Sequence, residues 1–419
     1  MKNRYLIFLI IIGILGFIYA GCGGGSGGSS SGSSYTSEGQ IDLKAQVLSP
    51  YRIDLSWSGP DKNIDAIGYK IYRDGIQIAA TSDVSYNNYG LSPATTYLYS
   101  VAAYNMDDNI SAESSGVSAK TLSIGNLELT LAGSYDTPAY TLGICVAGSY
   151  AYVADGGSGL LIIDISNPAQ PVLAGQYDTP GDARDVAVSG NYAYVADDVT
   201  GLVIINISNP ARPTLAGICY TPGLAMDVCL YGAYAYVADY SYGLQVINIS
   251  DPANPFIAGT YDTPAYAMGV DVSGAYVYIA DDTTGLLVID IINPAKPTLA
   301  GSYNTPGYAV DVFVAGDYAY VADTFCGLRI INIYNPAAPY AVGSYSTGNQ
   351  CLGVYVTGTL AYVADNCAGL KIIDISDPAA PVLAGQYNTP GCAVNVWVDG
   401  NLAYVADYNV GGLQIIKVK

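Results

Sequence analysis

The sequence predicts an all-β chain in two folded parts, a small two-layer sandwich followed by a closed ring of seven four-stranded sheets. Three observations carry this. An aspartate ends a Tyr-Ala-Tyr-Val-Ala-Asp-like segment at Asp155, Asp197, Asp239, Asp281, Asp323, Asp365 and Asp407, each 42 residues after the last. The periods contain four short apolar or alternating segments punctuated by turns of the Ser-Gly, Asn-Pro and Thr-Pro kind, with substitutions in some copies and without helical periodicity. Residues 41–122 have a different texture and no echo of that period.

One repeat runs from Gly181 to Pro222. Asp185-Val186-Ala187-Val188 is a short strand ending at a Ser-Gly-Asn turn, and Tyr192–Ala196 is the second strand. Gly201–Ile207 is the third, apolar on both faces and therefore expected to be buried on both. Pro213–Gly217 is the outer strand. The second strand puts tyrosines on one face and Ala and Val on the other, so a large face meets a small one between neighbours. A unit of this size cannot bury enough apolar surface alone, so the copies must stack. Four strands at this period match a blade of a β-propeller. The frame predicts closure. The copies begin with a lone outer strand near Leu131 and end after a third strand near Ile415, so each completes the other.

The motif Tyr194-Val195-Ala196-Asp197 followed by Gly201–Pro210 recurs in register seven times over 127–419 and resembles the LVIVD-repeat surface propellers. That resemblance implies a cell-surface protein and adds little about chemistry.

In residues 41–122, Ile53–Trp57 alternates with Trp57 inward, and Gly68–Arg73 ends in the Asp74-Gly75 turn. Tyr97 follows a corner at Leu91–Thr96, where its hydroxyl can bond back to upstream backbone. These residues together resemble a fibronectin type III domain, which implies a spacer or protein-contact module.

Lys2 and Arg4 precede an apolar run to Ala20, the pattern of an export signal over residues 1–22. Tyr19-Ala20-Gly21-Cys22 resembles the lipobox of bacterial lipoproteins, which implies lipidation of Cys22 and anchoring at an outer membrane or cell surface. Residues 23–40 are a Gly/Ser-rich flexible linker. The expected address is therefore extracytoplasmic and membrane-anchored.

Net charge is −20, and residues 127–419 carry 24 aspartates, one glutamate and seven basic side chains. This balance excludes nucleic acid as a partner. Histidine is absent, which removes Ser-His and Cys-His pairs and imidazole metal ligands. The expected role is therefore non-catalytic binding of a protein or glycan. A carboxylate-based hydrolase or lyase acting on extracellular polysaccharide is the alternative. No cofactor or metal is expected. Calcium at the doubled carboxylates Asp197-Asp198 and Asp281-Asp282 is the rival to their role in turns.

Binding residues are sought where the copies differ. The loop after the second strand and the position two past Thr-Pro vary on one face of the disc, whereas the Ser-Gly and Asn-Pro turns of the other face barely change. The candidates are Tyr140, Asp182, Tyr240, Tyr242, Tyr266, Tyr308, Phe325 and Tyr408. Asp185, Asp227 and Asp311 share one innermost-strand position, where other copies have Gly or Asn, and they are candidates to line a central channel. Cys326, Cys351, Cys367 and Cys392 are disulfide candidates, with three pairings open. Links between Cys351 and Cys367, Cys326 and Cys367, or Cys351 and Cys392 all fit the topology. Cys145, Cys219 and Cys229 are expected as small buried strand residues.

Overall fold

In the computed structural model the described residues are 41–49, 52–58, 66–89, 91–92, 94–106, 113–121 and 127–419. The export signal, the lipobox with Cys22 and the linker lie outside them. Every regular element among the described residues is a strand.

In the first part, strands Leu43–Ser49, Arg52–Trp57 and Ser85–Asn88 form one sheet. Ile76–Thr81, Gly68–Arg73, Thr96–Tyr104 and Val117–Lys120 form the other. Alternation places Ile53, Leu55 and Trp57 against Ile71, Tyr99 and Val101 in one core. Asp74 and Gly75 both adopt positive φ (52° and 79°), the geometry an Asp-Gly hairpin turn requires. The amide of Ser92 donates to the Tyr97 hydroxyl at 2.8 Å, so the corner contact expected from sequence is present.

The repeats form seven antiparallel four-stranded sheets. The first blade runs Gly143–Ala147, Tyr150–Ala154, Leu160–Asp164 and Val172–Tyr177 from inside out. The last has Cys392–Asp399, Leu402–Tyr408 and Gly412–Val418, and its fourth strand is Leu129–Tyr135 from the start of the domain. Leu413 pairs with Tyr135 and Val418 with Leu129, with a register shift at Ile415/Ile416. The other blades shift at the equivalent place, for example Ile162/Ile163 and Ile204/Ile205. The composite blade is thus a true seventh copy. The inner strand of that blade lies against Gly143–Ala147, which closes the ring.

Blades mesh as the alternating sequence requires. Tyr152, Ala154, Leu160 and Ile162 of the first blade pack on Ala193, Val195, Val203 and Ile205 of the second. Across the seam, Tyr404, Ala406, Leu413 and Ile415 pack on Ala151, Val153, Leu161 and Ile163 in the same manner. Leu202, Val203, Ile204 and Ile205 are all fully buried, each worth on the order of 1.5–3 kcal/mol of transfer free energy. At Gly175 a Cβ would collide with the Pro210 carbonyl of the next blade. In six outer strands the glycine meets the Asn-Pro or Asp-Pro turn of the next blade in this way, while Gly385 meets Leu127 and Leu129 at the seam.

Candidate functional site

The recurring aspartates were expected to cap the turn after the second strand. Their side chains do something longer-ranged. They are fully buried, and all but Asp365 reach back sixteen residues to the connection that enters their own blade. Asp155 accepts the Ala139 amide at 2.9 Å, Asp197 that of Gly181 at 2.7 Å and Asp407 that of Gly391 at 2.7 Å. Asp239 accepts the Thr221 hydroxyl at 2.6 Å and the Gly223 amide at 3.0 Å. The turn itself is held by main chain, as in the Asp155 amide to Gly159 carbonyl bond at 2.9 Å. These carboxylates lock the Thr-Pro inlet against the blade and leave none of themselves for a ligand.

Burial pushes the Asp155, Asp281 and Asp407 carboxyls above their ordinary range, and Asp239 up to about 6. Such a group binds its proton more tightly folded than unfolded. Folding is therefore favoured below the raised value, and stability falls as pH rises through it. Exposed Asp164 and Asp251 are shifted down by turn hydrogen bonds and act only below the ordinary carboxylate range. The melting temperature should thus rise on acidification from about pH 8 to about pH 5, on the order of 5 °C. Scanning calorimetry across that window checks it, and a flat or falling profile contradicts it.

The variable face is assembled as the sequence implied. The loop after each second strand bridges the inlet of the next blade, pairing Gly156 with Ala183, Asp198 with Ala225, Tyr240 with Ala267 and Thr324 with Cys351. The first loop residue has positive φ in each blade, and Tyr240 (48°) and Thr324 (39°) occupy that region although bulky side chains avoid it. Tyr140 stacks on Tyr408 at 4.6 Å and Tyr240 on Tyr266 at 4.1 Å, each pair spanning two blades. Tyr242, Tyr308 and Phe325 stand singly and exposed. Asp182 joins Tyr140 and Tyr408 around a cavity of about 250 Å³ that Leu142 and Arg184 also line. Arg184 went unnoticed in the sequence, although it breaks a column otherwise made of Leu, Met and Val. Its guanidinium donates to Asp198 at 2.9 Å. One member of a doubled carboxylate is thus committed to an ion pair and the other, Asp197, to the inlet. No group of three or more metal-ligating side chains is assembled among the described residues.

The cysteines divide. Cys367 and Cys392 form a disulfide joining the last two blades, a link contained in one of the three open pairings but not among the three links singled out above. Cys326 and Cys351 remain thiols. Cys367 and Cys392 each lie one residue from the Asn366–Ala393 bridge between loop and next inlet, whereas Cys351 itself holds the equivalent bridge position opposite Thr324 and Cys326 lies two residues past Thr324. Cys145 and Cys219 are buried as expected, whereas Cys229 is half-buried and faces the channel.

Asp185, Asp227 and Asp311 do line the channel, at a waist between a chamber of about 240 Å³ toward the variable face and one of about 370 Å³ beyond it. Asp227 accepts the amides of Val228 at 2.7 Å and Val270 at 2.6 Å; Asp311 accepts those of Val312 and Val354, both at 2.8 Å. Each carboxylate therefore ties its own strand to the next. Asp271, two residues further along its strand, does the same for Val272 and Val314, both at 2.7 Å. Burial raises all four carboxyls, that of Asp311 to about 7, and the neighbouring Asp185 carboxylate pushes Asp227 further up. Asp271, Phe313, Tyr355 and Trp397 escaped the sequence reading. Comparing copies along the innermost strand, as was done for the loops, would have found them.

Comparison with known proteins agrees with the geometry. A 97-residue stretch is 36% identical to an alpha-amylase of Niallia circulans, over 23% of this chain and 8% of that protein. A 79-residue stretch is 33% identical to chitinase Chi52 of Paenibacillus xylanexedens, over 19% of this chain and 15% of that protein. The chain thus spans only a small part of the length of these relatives. Among solved structures, the Cps50 (Swd1) β-propeller domain of Myceliophteria thermophila aligns with TM-score 0.56 at 12% identity, over 70% of this chain and all of that domain. The computationally designed Ika8 protein aligns with TM-score 0.51 at 8% identity, over 77% and 93%. The LVIVD repeat model matches residues 139–179, 180–221, 222–263, 264–305, 306–347, 350–389 and 390–418. With seven tandem matches falling on the seven blades of the ring, this chain belongs to the LVIVD repeat family.

Proposed function

We propose that the chain is a lipid-anchored, non-catalytic binding protein of the cell surface that takes a glycan or protein on its variable propeller face. The carrying observation is the cavity where stacked Tyr140 and Tyr408 meet Asp182 and Arg184. Aromatic faces pack on the apolar face of a sugar ring or on an apolar side chain, while the acid and guanidinium give direction to hydroxyls. Strain at Tyr240 and Thr324 on the same face supports the reading, because such backbone clusters at ligand-contacting loops.

Residues 41–122 serve as a fibronectin type III-like spacer. Their three- and four-stranded sheets and the Tyr97 corner suit that module, and the 97- and 79-residue matches are of its size. The names of those two relatives, an amylase and a chitinase, also favour a polysaccharide-rich setting. The two channel carboxyls Asp185 and Asp227, side by side on the wall and both raised by burial, support the second reading, a carboxylate hydrolase or lyase.

A glycan array probed with the soluble chain from residue 41, followed by product analysis of any hit, separates these. Tyr408→Ala and Asp182→Ala should each weaken binding roughly tenfold to a hundredfold without releasing product. Binding that survives both substitutions removes this site. Turnover abolished by Asp227→Asn establishes the enzyme instead.

A further inference from the structure

The 370 Å³ chamber lies beyond the carboxylate waist, on the side of the turns in which only the glycine recurs in every copy, Gly148 to Gly400. Its wall is made by the innermost strands at two successive positions. One ring is aliphatic throughout: Ile144 followed by Val186, Val228, Val270, Val312, Val354 and Val396. The next ring has diverged fully. It reads Cys145, Ala187, Cys229 and Asp271 in the first four blades, then Phe313, Tyr355 and Trp397. The three aromatics form a continuous arc, with centroids 4.8 Å apart between Phe313 and Tyr355 and 5.1 Å between Tyr355 and Trp397. Small side chains face the arc and leave the chamber open. A channel needing only to be plugged would be filled by its aromatics, and this one is not.

We infer that this chamber binds a small organic ammonium ion with a flat apolar body. The arc supplies both a stacking wall and cation–π attraction. Asp271 on the wall and Asp185, Asp227 and Asp311 on the floor supply acceptors. Backbone amides fix these carboxylates and leave further lone pairs facing the cavity. The donor that Asp185 shares across strands is long, the Val228 amide 3.4 Å away, and that amide lies closer to Asp227 at 2.7 Å. Gly143 beside it leaves no room for a Cβ, because one would strike the Asp185 carboxylate. A hard divalent ion needs six or more converging oxygens, whereas the donors here are spread around the channel and no three-ligand group exists among the described residues. The Cys145 thiol is pushed up to about 12 by burial, so that wall is neutral. Size agrees: the chamber falls at the lower end of small-molecule pockets, roughly 300–1,000 Å³.

The chain has two tryptophans, Trp57 and Trp397, so Trp57→Phe in the soluble chain leaves Trp397 as sole reporter. Phenethylammonium should change its emission saturably, while the matching anion phenylacetate gives no response and the neutral 2-phenylethanol binds at least roughly tenfold more weakly. Asp185→Asn copies the residue already present at Asn395 and should weaken the amine by roughly tenfold with the melt unchanged. Tyr355→Leu should weaken it comparably and serves if the first variant unfolds. Equal binding of amine and alcohol, silence at millimolar amine in a folded chain, or displacement of the amine by calcium would each overturn the inference. The variable-face test stands apart from it, since that site lies on the other side of the waist.

Discussion

Removing residues 127–135 is expected to unfold the propeller. The strand Leu129–Tyr135 supplies the fourth strand of the last blade. Leu127 and Leu129 pack between the last two blades, and Ala132 and Tyr135 pack across the seam. The Leu127 amide also donates to the Ala384 carbonyl at 2.8 Å. Losing four half-buried apolar side chains costs at least about 4 kcal/mol, a large part of the stability of an ordinary domain. The deletion also strips Gly412–Val418 of its partner and exposes a long apolar edge that invites aggregation. Urea melts of the truncated chain, with and without a peptide spanning residues 127–136 added in trans, measure the effect. Recovery of the native midpoint by the peptide is the expected result, and an unchanged midpoint without it would show that the ring does not depend on its seam.

The second large effect is expected at Lys371. In the sixth blade the usual Thr-Pro inlet is replaced by Thr347-Gly348, and no backbone amide reaches the carboxylate of Asp365. The ammonium of Lys371 stands in, 2.7 Å from Asp365, and also donates to the Thr347 carbonyl. Both side chains are shielded, at 13% and 0% exposure. Three other blades carry Leu161, Val203 and Leu287 at the equivalent position, and the remaining three carry Gln245, Arg329 and Gln414, so Lys371→Met fits sterically and leaves an unpaired buried carboxylate. The cost should be about 3–5 kcal/mol. Adding Asp365→Asn to that variant should recover part of the loss, because the buried charge is then gone. Arg329→Leu in the fifth blade should cost less, since Asp323 keeps the Gly307 amide at 3.0 Å when Arg329 is removed. Denaturant midpoints of the three variants check this order, and equal costs at Lys371 and Arg329 would refute it.

Much of the site was legible because variation among copies is a signal internal to the chain. Loops that hold no packing contact diverged, and Tyr140, Asp182 and Tyr408 were found that way before their cavity was known. The same logic passed over Phe313, Tyr355 and Trp397 because a strand residue reads first as core. Alternation says which face a side chain takes, but not whether that face meets another sheet or a channel. The recurring aspartates misled for a related reason. Their place after the second strand pointed to a local turn, while their partners lie sixteen residues back, brought near only by the antiparallel return of the chain.

The seven blades, their strand order and their closure were determined by the 42-residue period and by the frame in which it starts and stops. Apolar burial at alternating positions obeys local periodicity, and an orphan strand at each end permits one closed arrangement. The tertiary structure alone decided which cysteines bond, which tyrosines stack, and that four carboxylates and three aromatic rings from separate blades surround a common axis. Those carboxylates and rings are spread over six blades, from Asp185 to Trp397, and only the curvature of the closed ring brings them within reach of one ligand.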